Sequence, residues 1–250
     1  MKNISKIILL IFLIGFVSCG PSEQELYEKG LAYYAEGDYS NAVEYFSKAA
    51  EQGHADAQGC LGQCYYDAMG VSQNYYEALK WYTKAAEQGV VGAQYNVGLC
   101  YEKGHGTNIN YTEAIKWYRK AAEQGDVKAQ INLGMLYEYG KGGMQNYAEA
   151  VKWYQKAAEQ GDAKAQCNLG VCYYNGYGVE QSYTKAIELF KRSASQGNAG
   201  GQCNLGLCYA KGHGTTRNIT EAMMWYRKAA ETGHPEAINA LNVLNSILGY

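Results

Sequence analysis

The chain has 250 residues, 47% of them hydrophobic and 18% charged, with only two prolines, which supplies a packed core and is too apolar for a disordered polymer. Its 22 basic and 24 acidic residues give a net charge of −2, without a basic stripe or an acidic tail. Binding to nucleic acid by counterion release has little to work with, and no nucleic-acid partner is expected.

Residues 1–18 stand apart from the rest. Lys2 and Lys6 lead into an apolar run from Ile7 to Val17, too short to span a bilayer and of the length of a signal-peptide core. The run ends in Phe16-Val17-Ser18-Cys19, which resembles a bacterial lipobox, with Phe16 where Leu is usual. The resemblance implies cleavage before Cys19 and its acylation, an anchor whose affinity comes from buried methylenes rather than a transmembrane helix. Gly20 in place of Asp favours, by the same resemblance, an outer-membrane lipoprotein facing the periplasm or the cell surface. Removing residues 1–18 takes two lysines and no acids, so the net charge moves from −2 to −4. Residues 19–24 read as a short tether.

From residue 25 onward a period dominates. A four-residue tag, Ala-(Glu/Ser)-(Gln/Thr)-Gly, ends at Gly53, Gly89, Gly125, Gly161, Gly197 and Gly233, always 36 residues apart. A unit of this size cannot bury its own apolar face, so copies must stack. Within residues 126–161, Ala129, Leu133, Leu136 and Tyr137 recur at helical spacing, and Ala150, Trp153, Tyr154 and Ala157 do so again. The two amphipathic stripes flank a turn, Gly140-Lys141-Gly142-Gly143, and predict an αα-hairpin in which Gly134 lets the second helix come close. Five such units are expected over 54–233. The stretch 25–53, with Gly30, Tyr33, Gly37-Asp38-Tyr39, Ala42, Tyr45, Phe46 and Ala49, resembles a tetratricopeptide repeat with a shorter inter-helix loop and is read as the N-terminal cap. Residues 234–250 supply one more helix, with Pro235 in its first turn and Ile238, Leu241, Leu244 and Leu248 as its apolar face, read as the C-terminal cap.

The repeated motif is A-x-A-Q-x-N-L-G-x-x-Y-x-x-G-x-G followed by A-x-x-W-Y-x-K-A-A-E-Q-G, carried in one unit by Gln130, Asn132, Leu133, Gly134, Tyr137, Gly140, Gly142, Trp153, Tyr154 and Lys156 through Gly161. It resembles the Sel-1-like repeat family, a relative of the tetratricopeptide repeat. The resemblance covers about 180 residues in five copies, with departures at Leu189-Phe190 for Trp-Tyr, at Leu136 for Cys, and at Met69, taken as the first loop glycine's replacement. It implies an all-α solenoid, a right-handed superhelix of αα-hairpins, and a non-enzymatic adaptor that binds a protein or peptide.

No chemistry competes with that reading. Cys64, Cys100, Cys172 and Cys208 share one repeat position on the inner side of the first helix, and adjacent copies at helix-packing distance lie beyond disulfide reach. Free thiols are expected here and at Cys60, Cys167 and Cys203. A cysteine-rich branch of the family staples each hairpin to a Cys in the second helix's Lys-Ala-Ala segment. Here those positions hold Ala85-Ala86, Ala121-Ala122 and Ala157-Ala158, which weakens the rival reading of a hydrolase acting on β-lactams or peptidoglycan precursors. His105 and His213 occupy one Gly-His-Gly loop position three repeats apart, too far to share a metal, and read as polar loop residues. No catalytic site, cofactor or metal is expected.

Comparison of the five units separates invariant positions, such as Gln58, Gln94, Gln130, Gln166 and Gln202, from varied ones. In tetratricopeptide-like hairpins the first helices line the concave face. The matching varied positions, Tyr66, Tyr95, Leu99, Glu102, Lys103, Ile131, Met135, Glu138, Tyr139, Tyr174 and Asn175, mix aromatics, aliphatics and a few charges as a partner-binding groove does. The leading expectation is a lipid-anchored scaffold touching the membrane only through Cys19. A secreted host-interaction factor without an anchor is the third reading.

Overall fold

Most of the described helices begin where a polar side chain takes up backbone N–H groups that a first turn leaves unpaired. Ser22 and Glu25 form a reciprocal capping box, so the first helix, α1 (Glu23–Glu36), starts inside the stretch read as a tether. The computed structural model describes residues 20–248, and among them there are thirteen helices and no strand. The signal segment and Cys19 lie outside the described residues.

The chain divides into two compact units, one reaching Asn96 and including His105–Thr107, the other comprising Val97–Gly104 and Asn108 onward. The first holds α1, α2 (Tyr39–Glu51), α3 (Ala55–Asp67), α4 (Tyr75–Glu87) and the opening of α5 (Val91–Lys103). Its first hairpin turns in two residues, Gly37 and Asp38, where the next uses seven, 68–74. That short turn is the feature that made this stretch resemble a tetratricopeptide repeat. Leu26, Phe46, Leu61 and Trp81 are buried in its core.

The second unit holds the remainder of α5, then α6 (Tyr111–Glu123), α7 (Val127–Glu138), α8 (Tyr147–Glu159), α9 (Ala163–Asn175), α10 (Tyr183–Ser195), α11 (Ala199–Lys211), α12 (Ile219–Glu231) and α13 (Pro235–Leu248). Helices α6 to α13 each pack on the next, and the first helices of consecutive repeats, α9 and α11, touch directly. This is an all-α solenoid of αα-hairpins. Asn146, Ser182 and Asn218 cap second helices through their side chains, and Asp126, Asp162 and Asn198 cap first helices. Within a hairpin the approach is as close as the sequence requires. A Cβ on Gly134 would lie 2.6 Å from the Tyr154 ring, and one on Gly170 the same distance from Phe190.

The invariant glutamines tie repeat to repeat. Gln130, Gln166 and Gln202 are buried, and their Nε2 groups donate to the carbonyls of Ala122, Ala158 and Ala194. Gln160 and Gln196 then donate to the Oε1 atoms of Gln130 and Gln166, each at 2.9 Å. Buried amides need such partners, since an unmet one costs about 1–3 kcal/mol. The ladder stops at Gln202, whose Oε1 is buried without a partner, because Thr232 stands where the earlier repeats have Gln.

Two expectations need correction. The residue at the first loop-glycine position is Ala68, not Met69. Ala68 has φ 60°, the one non-glycine in the left-handed region among the described residues, while Met69 sits one position later and accepts from the Tyr34 hydroxyl. On α13, Leu241 and Leu244 pack against Ala222, Tyr226 and Ala229, but Ile238 is 42% exposed and Ala237 is the buried residue. The inward stripe therefore passes through 237, one position from where the apolar pattern placed it.

Candidate functional site

Most of the expected groove residues are already engaged inside the protein. In the first unit, the Tyr66 hydroxyl lies 2.9 Å from His105 Nδ1, and the His105 ring stacks on Tyr75 with centroids 4.3 Å apart. In the second, the Tyr174 hydroxyl lies 2.8 Å from His213 Nδ1, and His213 stacks on Tyr183 at the same 4.3 Å. The two histidines are thus clasps holding a loop to the preceding hairpin, a larger role than that of polar loop residues. The same loop position is filled by Tyr177, stacked on Tyr147 at 4.7 Å, and by Lys141, whose Nζ lies 5.4 Å from the centre of the Tyr111 ring.

Glu102 and Glu138 are half-buried and accept from the second helix of their own hairpins. The Tyr118 hydroxyl donates to Glu102 Oε2 at 2.7 Å, and the Tyr154 hydroxyl donates to Glu138 Oε2 at 2.5 Å. Burial, followed by that bond to a carboxylate, raises the Tyr154 phenol far above its ordinary range. Lys103 is exposed and pairs with Glu102 Oε1 at 2.6 Å. Asn175 is exposed and bonds back to the Val171 carbonyl of its own helix. Tyr95 and Leu99 are half-buried on α5. Ile131 is 6% exposed and packs with Val151, Ala165 and Leu169. It belongs to the core and is withdrawn from the contact surface.

What remains converges in the second unit. Met135 of α7 and Tyr139, which caps its C-terminal end, share with Glu102, Tyr111, Asn132 and Lys141 a recess of about 130 Å³. Tyr139 is 63% exposed, and Met144 in the adjoining loop is 92% exposed. Asn132 donates to the Tyr118 hydroxyl at 3.2 Å, so one tyrosine orients both Asn132 and Glu102. Tyr111, Asn132 and Lys141 were absent from the expected set. Lys141 could have been found by comparing loops as well as helices, since its counterparts are Met69, His105, Tyr177 and His213.

The seven described cysteines are free. Burial pushes the Cys64, Cys100, Cys172 and Cys208 thiols up to about 12, and Cys203 up to about 11. Such thiols are protonated at neutral pH and are poor nucleophiles. No group of three or more His, Cys, Asp or Glu side chains placed to hold a metal occurs among the described residues. No described helix is long and apolar enough to cross a membrane. The recess is walled by the Tyr111 and Tyr139 rings, the Met135 thioether and the Asn132 amide, groups that can hold an inserted side chain.

The fold and this surface define a class, the helical-repeat solenoids that present first-helix faces. A Sel1 repeat profile matches six consecutive segments, 19–54, 55–90, 91–126, 127–162, 163–198 and 199–234, and the chain belongs to the Sel1 repeat family. The first match covers the stretch that resembled a tetratricopeptide repeat. Among solved structures, a protective antigen of uropathogenic Escherichia coli strains displaying an SLR fold is 38% identical, with TM-score 0.84 over 89% of this chain and 48% of the antigen. This chain thus spans about half of that protein. A Sel1 repeat protein from Oxalobacter formigenes is also 38% identical, with TM-score 0.80 and 86% of each chain covered. YrrB, a TPR protein with an unusual peptide-binding site, shares the fold at 23% identity and TM-score 0.53, covering 79% of this chain and 98% of its own. No curated protein matches.

Proposed function

We propose that this protein is a non-enzymatic adaptor that holds a protein or peptide partner against first-helix faces of its solenoid, exported and tethered by acylated Cys19. Sel1 and tetratricopeptide-like repeats typically serve as protein-interaction scaffolds. One observation carries the reading to a surface. Of the two most exposed tyrosines among the described residues, Tyr76 at 67% and Tyr139 at 63%, Tyr139 lies at the mouth of the Met135 recess. An exposed aromatic over an apolar recess is what interface anchors are made of.

Affinity capture by the full chain tests the binding half. Tyr139→Ala with Met135→Ala should weaken recovery of the partner more than about tenfold, as loss of an anchor cluster does. Lys116→Ala with Lys152→Ala should change little, because both lysines are exposed on second helices and form ion pairs within their own helices, with Glu113 and Glu149. Equal losses from the two pairs would move the surface elsewhere. For the tether, Cys19→Ala should release the protein from membranes, and continued tight association would end the lipoprotein reading.

A further inference from the structure

The recess around Met135 and Tyr139 carries a charge asymmetry that names the chemistry of its occupant. Its one acid is internally compensated. Glu102 Oε1 is paired with Lys103 Nζ at 2.6 Å, and Glu102 Oε2 accepts from the Tyr118 hydroxyl at 2.7 Å. Its one base is not compensated. Lys141 is exposed, lies over the Tyr111 ring at 5.4 Å, and has no carboxylate within ion-pair distance among the described residues. A ring face holds an ammonium in place without neutralising it, leaving its outward hemisphere for an anion.

The size of the recess points to one side chain. At about 130 Å³ it falls well short of the roughly 300–1,000 Å³ of small-molecule sites. Its apolar walls are Met135, Leu136 and the Tyr111 and Tyr139 rings, and Asn132 supplies an amide at the wall. A thioether and two rings adapt to either an aliphatic or an aromatic guest.

We infer that the Met135–Tyr139 recess binds a peptide segment bearing one apolar anchor residue next to an Asp or Glu, the anchor filling the recess and the side-chain carboxylate pairing with Lys141. The inference rests on the proposed partner-binding reading of this surface and adds the class of sequence read. It also gives Lys141 a reason to differ from the clasp residues of the other loops. His105, Tyr177 and His213 each stack on a ring of the preceding hairpin, whereas Lys141 adds a cation to the rim.

Random dodecapeptides displayed on phage, with no free C-terminus, are selected on the full chain and the enriched peptides are measured by fluorescence anisotropy. The expected enrichment is an apolar residue adjacent to Asp or Glu. Lys141→Ala should then weaken binding about fivefold, the upper end for an exposed ion pair. High salt should produce a similar loss, and Lys141→Glu should shift selection toward Lys and Arg. Peptides that depend on Tyr139 but not on Lys141, or that lack acidic residues, overturn this inference and leave the surface reading standing. Peptides indifferent to both Tyr139→Ala and Lys141→Ala overturn both. Failure to enrich any peptide above display background counts against the inference, and an affinity that appears only with free C-terminal carboxylates replaces the side-chain partner with a chain terminus.

Discussion

Ser193 fills the space that a Cβ on residue 201 would need. Its Oγ would lie 2.4 Å from that atom, while donating to the Ala163 carbonyl at 2.7 Å. The preceding repeat has Ala157 and Ala165 at these two positions, so a larger residue on the second helix is matched by a smaller one on the next first helix. Gly201→Ala should overpack the interface and cost about 1–3 kcal/mol. Ser193→Ala alone should cost about 1 kcal/mol for the lost hydrogen bond. The double variant should be more stable than the sum of the two, with a coupling of at least about 0.5 kcal/mol in a urea-unfolding cycle. Strict additivity would mean that the two side chains do not compete for one volume.

The orphaned Oε1 of Gln202 predicts a stabilising substitution. Thr232→Gln restores the donor that Gln160 and Gln196 supply to the two preceding glutamines, and should raise stability by about 1 kcal/mol. An unchanged or lowered melting temperature would show that the last rung cannot form beside α13.

Ala68 makes an opposite test of backbone geometry. At φ 60° it sits where an L side chain is strained by about 1–2 kcal/mol, in a position that is Gly104, Gly140, Gly176 and Gly212 in the other repeats. Ala68→Gly should therefore stabilise the protein even though glycine ordinarily loosens an unfolded chain. Destabilisation would place the turn in another conformation.

Buried thiols set an alkaline limit. Cys64, Cys100, Cys172 and Cys208 have an ordinary value of 9.0 that burial raises to about 12 in the fold. Folding therefore binds their protons more tightly. The stabilisation is complete below pH 9 and is lost as pH rises from there through about 12. Urea midpoints should fall over that window, and the native protein at pH 8 should leave these four thiols unlabelled by DTNB until denaturant is added. Rapid labelling of all four in the native state would contradict their burial.

The hairpins were legible because their signals are local. Leu133 and Trp153 belong to stripes of period 3.6 inside single helices, and the structure buries them to 0% and 2%, with the Tyr154 ring 2.6 Å from where a Cβ on Gly134 would lie. The clasps were not legible, because His105 and Tyr66 are partners 39 residues apart and nothing near either one announces the other. The candidate surface fell between these cases. Tyr139 and Met135 could be placed on a first-helix face from repeat alignment, but the same alignment placed Ile131 there, and one step of helical rotation separates an exposed position from the core around Leu169. Lys141 escaped because a loop between helices has no period from which a side-chain direction could be read.

Photo-crosslinking in living cells of the protein's own host tests the central claim most directly. The full chain carries p-benzoylphenylalanine in place of Tyr139 in one strain and in place of Lys116 in another. Position 139 is 63% exposed at the recess, and Lys116 is exposed on the second-helix side with Glu113 as its ion-pair partner. Because an interface concentrates its energy in a few central residues, irradiation should give a discrete heavier adduct from position 139 and none from position 116. Adducts from position 116 alone, or equally from both, would contradict partner binding at this first-helix face.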